Sequence, residues 1–138
     1  MKLDTLPTWS MVAADAHRRR GLLLDHVRQW SALAHARSRG STSWKTVAAL
    51  DALSRPMRTR LVSAAADATD RERAEAASDD LWDAVAVCYS LVASVRGKDV
   101  PALEHVLAEL AEAGRWLAAY PVTVARHDRE IDRLFRED

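Results

Sequence analysis

The chain has 138 residues, 49% of them apolar and 29% charged, so it is long enough to bury one hydrophobic core but short for two domains. Its four glycines and four prolines exclude a low-complexity or disordered chain. The net charge is zero, yet residues 1–62 carry eleven Lys or Arg against four Asp or Glu, which gives +7, and residues 63–138 carry nine against sixteen, which gives −7. This split predicts contacts between basic and acidic surfaces, within one molecule or between molecules.

A long amphipathic helix is predicted to begin near Pro7, because proline is tolerated in the first turn, where its missing N–H costs nothing. Three arginines and Gly21 interrupt its apolar stripe. The stripe then resumes in phase, so we expect one continuous helix. It comprises Trp9, Val12, Ala16, Leu23, Val27, Trp30 and Ala34.

Residues 38–42 form a predicted loop. Thr42 or Ser43 can cap a short helix that ends near Ser54, because Pro56 disfavours helix in the residue before it. Pro56 then begins the next helix. Its inner side is predicted to carry Met57, Leu61, Ala64 and Ala68.

The most apolar stretch predicts a central helix over residues 80–96. Thr69 and Glu72 have the spacing of a capping box, which allows this helix to begin as early as Asp70, and Gly97 is a normal stop. One apolar stripe comprises Leu81, Val85, Cys88, Val92 and Val95, and a second comprises Trp82, Ala86, Tyr89 and Ala93. A helix with two apolar stripes needs neighbours on more than one side, so we expect it to be mostly buried.

Two more helices are predicted after the central one. The first begins at Pro101 and ends at Pro121, because proline breaks a helix interior. Its apolar face carries Leu103, Leu107, Leu110 and Leu117. The second is short and amphipathic, with Val124, His127, Ile131 and Leu134 on one face.

The predicted fold is therefore all-α: a single domain over residues 1–138, with five to six helices around the central buried helix. The single cysteine, Cys88, cannot form an internal disulfide and is interpreted as a small buried apolar residue. The N-terminal residues lack the apolar run of a secretory signal, and no apolar run reaches the roughly 20 residues that cross a bilayer. We expect a cytoplasmic protein that does not enter a membrane.

Few residue patterns point to catalysis. The sequence has no Gly-x-Ser-x-Gly elbow, glycine-rich phosphate loop, Cys-x-x-Cys or Glu-x-x-His. Three histidines lie nine residues apart and would face alternate sides of a helix. They are His17, His26 and His35. We interpret the shared face of His105, Glu109 and Glu112 as a solvated, salt-bridged surface, so no catalytic residue, metal or cofactor is predicted.

One enzymatic alternative is a ribonuclease. The spacing of Arg20 and His26, and of Arg28 and His35, resembles the Arg and His of HEPN-type helical-bundle ribonucleases. The resemblance implies an all-α protein that cleaves RNA. This is the least favoured of the three functions considered.

A second alternative is a DNA-binding regulator, because residues 43–60 resemble a helix-turn-helix with a turn near Ser54. The resemblance implies that the second helix enters a major groove while Arg55, Arg58 and Arg60 hold phosphates. The segment departs from the pattern at Asp51, where an apolar residue should pack, and it has no glycine in the turn.

The favoured function is a non-catalytic helical assembly or adaptor subunit of a larger complex. Its basic N-terminal half is expected to meet an acidic protein surface, on a partner or another copy, or a nucleic-acid backbone. The candidate contact residues are Arg18, Arg19, Arg20, Arg28, Arg37, Arg39, Lys45, Arg55, Arg58 and Arg60. Trp44, beside a loop and Lys45, is the candidate interface anchor.

Overall fold

A computed structural model of the chain describes residues 7–37, 55–94 and 103–136, and these residues form four helices and no strand. The helices are α1 (Trp9–Arg37), α2 (Met57–Ala64), α3 (Asp70–Ser94) and α4 (Leu103–Arg136). The all-α class is confirmed, but the expected five to six helices exceed the four observed in these ranges. The predicted helix ending near Ser54 lies outside the described residues.

The N-terminal helix α1 runs without a break through the arginine cluster and Gly21, as predicted. Thr8 caps it, because its Oγ1 accepts a hydrogen bond from the backbone N–H of Met11 at 3.1 Å. Its apolar stripe faces the core, with Ala16, Leu23 and Val27 fully buried. Burial of this stripe stabilises the helix despite the glycine in its middle.

The helix α3 begins with the predicted capping box. The backbone N–H of Glu72 donates to Thr69 Oγ1 at 3.1 Å, and the backbone N–H of Thr69 donates to Glu72 Oε1 at 3.2 Å. Leu81 and Cys88, from the first predicted stripe, are completely buried. This helix supplies the largest share of the core and packs against the other three helices.

The second predicted stripe of α3 is not buried, so the expectation that both apolar stripes pack against neighbouring helices was wrong. Trp82 is 62% exposed and Tyr89 is 52% exposed, and Ala86 and Ala93 are exposed as well. The buried sector of α3 instead combines the first stripe with small residues such as Ala77 and Ala84. The opposite sector has no covering helix among the described residues.

The helix α4 corrects a second prediction, because it continues through Pro121 to Arg136 as one element. Val106, Leu110 and Ala113 anchor its first half in the core. Beyond the proline, Asp128 accepts a hydrogen bond from Arg71 of α3 at 2.7 Å. Packing along the bundle thus compensates for the backbone hydrogen bond that proline removes.

The three long helices form a bundle in which α1 and α3 run parallel and α4 runs antiparallel to both. Arg71 lies over the ring of Trp9 at 5.5 Å, which places the two helix beginnings side by side. From α1 to α4, His26 pairs with Glu109 and Arg19 with Glu112, so residue numbers fall along α4 as they rise along α1. The short helix α2 lies on α3 near Asp80.

Candidate interaction surface

The exposed sector of α3 carries Trp82, Ala86, Tyr89 and Ala93, and we call it the outer face. These residues are spaced by three and four positions, so their side chains are neighbours along one side of the helix. Two large rings with small alanines between them offer a ridged surface into which another helix can pack. Exposed tryptophan and tyrosine side chains are typical of protein interfaces, where they contribute much of the binding energy.

Carboxylates border the outer face on one side. This acidic border consists of Glu75, Asp79 and Asp83, whose side chains are all at least half exposed. Arg58 of α2 contacts two of them: its guanidinium donates to Asp83, and its Nε lies 4.0 Å from Asp79. The hydrogen bond and charge of Asp83 raise the pKa of Arg58 above its ordinary value. One cation therefore offsets part of the border's negative charge.

Asp80 lies beside this border but points inward, and it is only 4% exposed. Its carboxylate accepts hydrogen bonds from the backbone N–H groups of Arg58 at 3.1 Å and Thr59 at 2.8 Å. Arg20 of α1 is close enough for an electrostatic interaction; burial lowers its pKa while Asp80 works to raise it. Asp80 thus joins α1, α2 and α3 through one buried charge.

The arginines at 18 and 19 of the predicted basic surface lie beside Asp15. Asp15 receives Arg18 at 2.7 Å and Arg19 at 3.5 Å, and Arg19 also lies 3.9 Å from Glu112. Burial works to raise the pKa of Asp15, but hydrogen bonds from Arg18 and Trp116 and the charge of Arg19 outweigh it and lower the pKa. The pairs with Asp15 therefore lie within the basic half, and Arg19 also reaches the acidic half through Glu112.

The other described members of the predicted basic surface lie on α1 and near α2. Arg28, Arg55 and Arg60 are exposed, on α1, just before α2 and on α2, and Arg37 is the last residue of α1. Outside the described residues lie Arg39, Lys45 and the predicted anchor Trp44. A pocket beside Asp80 and Asp83 is lined by Arg20 and Arg55, so these two arginines and Arg58 lie near the same carboxylates.

Of the residues considered for catalysis, the structure brings His26, His105 and Glu109 together, and the side chain of His35 is not among those described. His26 Nε2 lies 3.4 Å from Glu109 Oε1 on α4, and its ring stacks on that of His105 with 6.1 Å between centroids. Arg20 interacts with Asp80 on α3, whereas His26 contacts Glu109 on α4. Among the residues that the structure describes, no group of three or more His, Cys, Asp or Glu side chains is arranged to hold a metal ion.

A surface cavity of about 510 Å³ lies between the start of α1 and the middle of α4. Its lining is mainly apolar and includes Met11 and the stacked rings of Trp116 and Tyr120, 5.6 Å apart. The two charged side chains in the lining, Asp15 and Arg18, pair with each other. The cavity therefore lacks a set of polar groups directed toward a ligand.

Sequence reasoning missed the role of Asp80. Its partners lie 21 and 22 positions earlier in the chain, so no periodic pattern connects them. One signal was available: Pro56 precedes α2 and has no side-chain hydrogen bond to offer its N-terminus. A helix without a local cap needs its first N–H groups satisfied from elsewhere.

No protein-family model, curated protein or solved structure matches the chain. None of the helices in the described ranges combines the length and apolar character that crossing a bilayer requires. The surface of the bundle itself is therefore the basis for a functional proposal.

Proposed function

We propose that this chain is a non-catalytic helical assembly subunit, and that the outer face of α3 binds a second copy of the chain. The observation that carries the proposal is the exposure of Trp82 and Tyr89 on the helix that otherwise supplies most of the core. Leaving two large rings in water forgoes the free energy of burying them, roughly 25 cal/mol per Å² of apolar surface. Burying both rings in an interface would recover this free energy.

A second copy is the favoured occupant because the two charged halves of the chain are complementary. The outer face is bordered by Glu75, Asp79 and Asp83, while Arg18, Arg28 and other cations of the first half are exposed on α1 and α2. An acidic surface on one copy can therefore meet a basic surface on the next. Such a contact joins two different surfaces, so repetition would build a ring or an open filament.

Light scattering on the purified chain, across protein concentration at low and high salt, tests the proposal. We expect assemblies of two or more copies at low salt and a shift toward monomer as salt screens the charges. The double substitution Trp82→Ala with Tyr89→Ala should give monomer under all conditions. Leu107→Ala, which removes an exposed apolar side chain from α4 instead, is the matched control and should assemble normally. A monomer at every concentration and salt would rule out self-assembly.

Contact with a nucleic-acid backbone is the second candidate, and the exposure of Arg28 and Arg60 favours it. The helix-turn-helix version gains less support, because Arg58 is turned toward Asp83 and its backbone N–H toward Asp80. Gel shifts with duplex and single-stranded probes across salt would test both versions. Changing Arg55, Arg58 and Arg60 to Glu should abolish duplex binding by a helix-turn-helix, whereas retained binding would eliminate it.

A further inference from the structure

The short helix α2 differs from the rest of the fold in having no buried residue among its eight. Met57 is 65% exposed and Leu61 is 70% exposed, although both were predicted to face inward. An isolated helix shorter than about 12 to 15 residues is marginal in water. Apolar burial therefore does not account for the helical state of α2.

Polar contacts with α3 hold α2 in place. Asp80 accepts hydrogen bonds from two of the first N–H groups of α2, at 3.1 and 2.8 Å, which is the role that an N-cap side chain usually fills within its own helix. The negative charge also lies at the positive end of the helix dipole. Arg58 adds contacts with Asp83 and with the backbone carbonyl oxygen of Asp79 at 3.5 Å.

We infer that α2 is a releasable helix, latched to α3 by Asp80, and that its release takes the charge of Arg58 away from the acidic border of the outer face. Docking and helix formation are coupled, because the carboxylate that satisfies the N-terminus of α2 belongs to α3. Loss of that one contact leaves two N–H groups without their partner. Within α2 only Thr59 and Val62 are then partly buried by the described residues, which is little for so short a helix.

The regulatory part of this inference rests on the proposed function. While α2 is docked, Arg58 neutralises part of the charge of Asp79 and Asp83. Once α2 is released, both carboxylates face solvent next to Trp82 without that cation. The outer face then attracts a basic surface of a second copy more strongly, so release of α2 promotes assembly.

Amide hydrogen exchange on the whole chain tests the latch without any partner. In the unmodified protein, the amides of residues 60–64 should exchange at least about tenfold faster than those of residues 81–88, through an opening of α2 that leaves the bundle intact. Asp80→Ala should abolish the remaining protection of residues 60–64 while residues 81–88 keep theirs. Asp79→Ala removes a neighbouring carboxylate that caps no N–H of α2, and should leave most of the protection.

The outcome is decisive in either direction. Equal protection of α2 and α3 in the unmodified protein would overturn the latch, even if Asp80→Ala failed to fold. Unchanged protection of residues 60–64 in Asp80→Ala would overturn it as well. Light scattering then tests the regulatory part: at low salt, Asp80→Ala should assemble at a several-fold lower concentration than the unmodified protein. If α2 is released but assembly is unchanged, the latch stands and its link to assembly is wrong; if no variant assembles, the proposed function fails by itself.

Discussion

The three long helices and the short helix α2 are stabilised in opposite ways. The core of α1, α3 and α4 is built from apolar side chains such as Leu23, Leu81 and Leu110, which are almost completely removed from solvent. In α2 no side chain is buried, and its position depends on Asp80 and Arg58. One small protein can therefore combine an apolar core with a short helix that the polar contacts of Asp80 and Arg58 hold in place.

This difference determines how each region responds to damage. Hydrophobic burial is spread over many residues and has no direction, so each one contributes a share. A hydrogen-bonded latch is concentrated in a few atoms with fixed geometry. We therefore expect core substitutions to lower the stability of the whole bundle, and substitutions at the latch to act mainly on α2.

The largest expected effect is in the core. Leu81→Ala should lower the free energy of unfolding by about 2 to 5 kcal/mol, because it removes a fully buried side chain and leaves a cavity. Leu61→Ala, the same substitution on the exposed side of α2, should change it by less than about 0.5 kcal/mol. Urea unfolding measures both, and similar losses at the two positions would contradict the comparison.

The buried thiol of Cys88 should be almost unreactive in the folded chain. Burial raises the pKa of Cys88 from its ordinary value of 9.0 to about 11. At pH 8 the folded chain should react with a thiol reagent about a hundredfold more slowly than the unfolded chain, because the thiolate is the reactive form. Rapid labelling without denaturant would show that the core opens locally.

The same thiol predicts a pH dependence of stability. Between pH 9 and about 11, the unfolded chain releases this proton while the folded chain retains it. The folded pKa is the higher one, so the contribution of Cys88 is fully present below pH 9 and declines as the pH rises through this window. Unfolding curves of the unmodified chain and Cys88→Ala should converge across that range, and parallel curves would contradict the assignment.

Substituting Pro121 tests whether packing against the bundle or the local conformational preference of proline determines how α4 continues beyond this residue. Because the helix continues through it, Pro121→Ala should restore a backbone donor and stabilise the bundle by about 1 to 3 kcal/mol. The midpoint of urea unfolding would report the gain. A loss of stability would show instead that a bend at the proline is needed to bring Asp128 to Arg71.

The smallest expected effect is at the outer face. Trp82→Ala should change the free energy of unfolding of the monomer by less than about 0.5 kcal/mol, because its side chain is mostly in solvent. Measured at high salt and low concentration, a loss above 2 kcal/mol would indicate that the ring packs inside the bundle.

Predictions that depend on neighbouring residues were the successful ones. The capping box of Thr69 and Glu72, the continuity of α1 and the buried stripe through Leu81 all depend on residues within one or two helical turns. Helical periodicity shows which residues share a face, but it does not show how many neighbouring helices are available to cover it. The stripe of Trp82 and Tyr89 was misjudged for this reason.

The remaining errors came from contacts between distant parts of the chain. Proline has a strong local preference against helix interiors, yet Pro121 lies within α4, whose packing on both sides of it outweighs that preference. The link from Asp80 to α2 depends on how two helices meet in space. The carboxylates of the acidic border are four positions apart, so the sequence itself places them in one row, but the charge split does not identify Arg58 as their partner.

Asp80 also determines how substitutions should be tolerated. The buried carboxylate of Asp80 does not stabilise its own helix, and an apolar side chain at this position would cost less free energy to bury. Apart from its interaction with Arg20, its value depends on α2 being present. Replacing Asp80 with alanine or leucine should therefore cost less stability in a shortened chain lacking residues 55–64 than in the full chain.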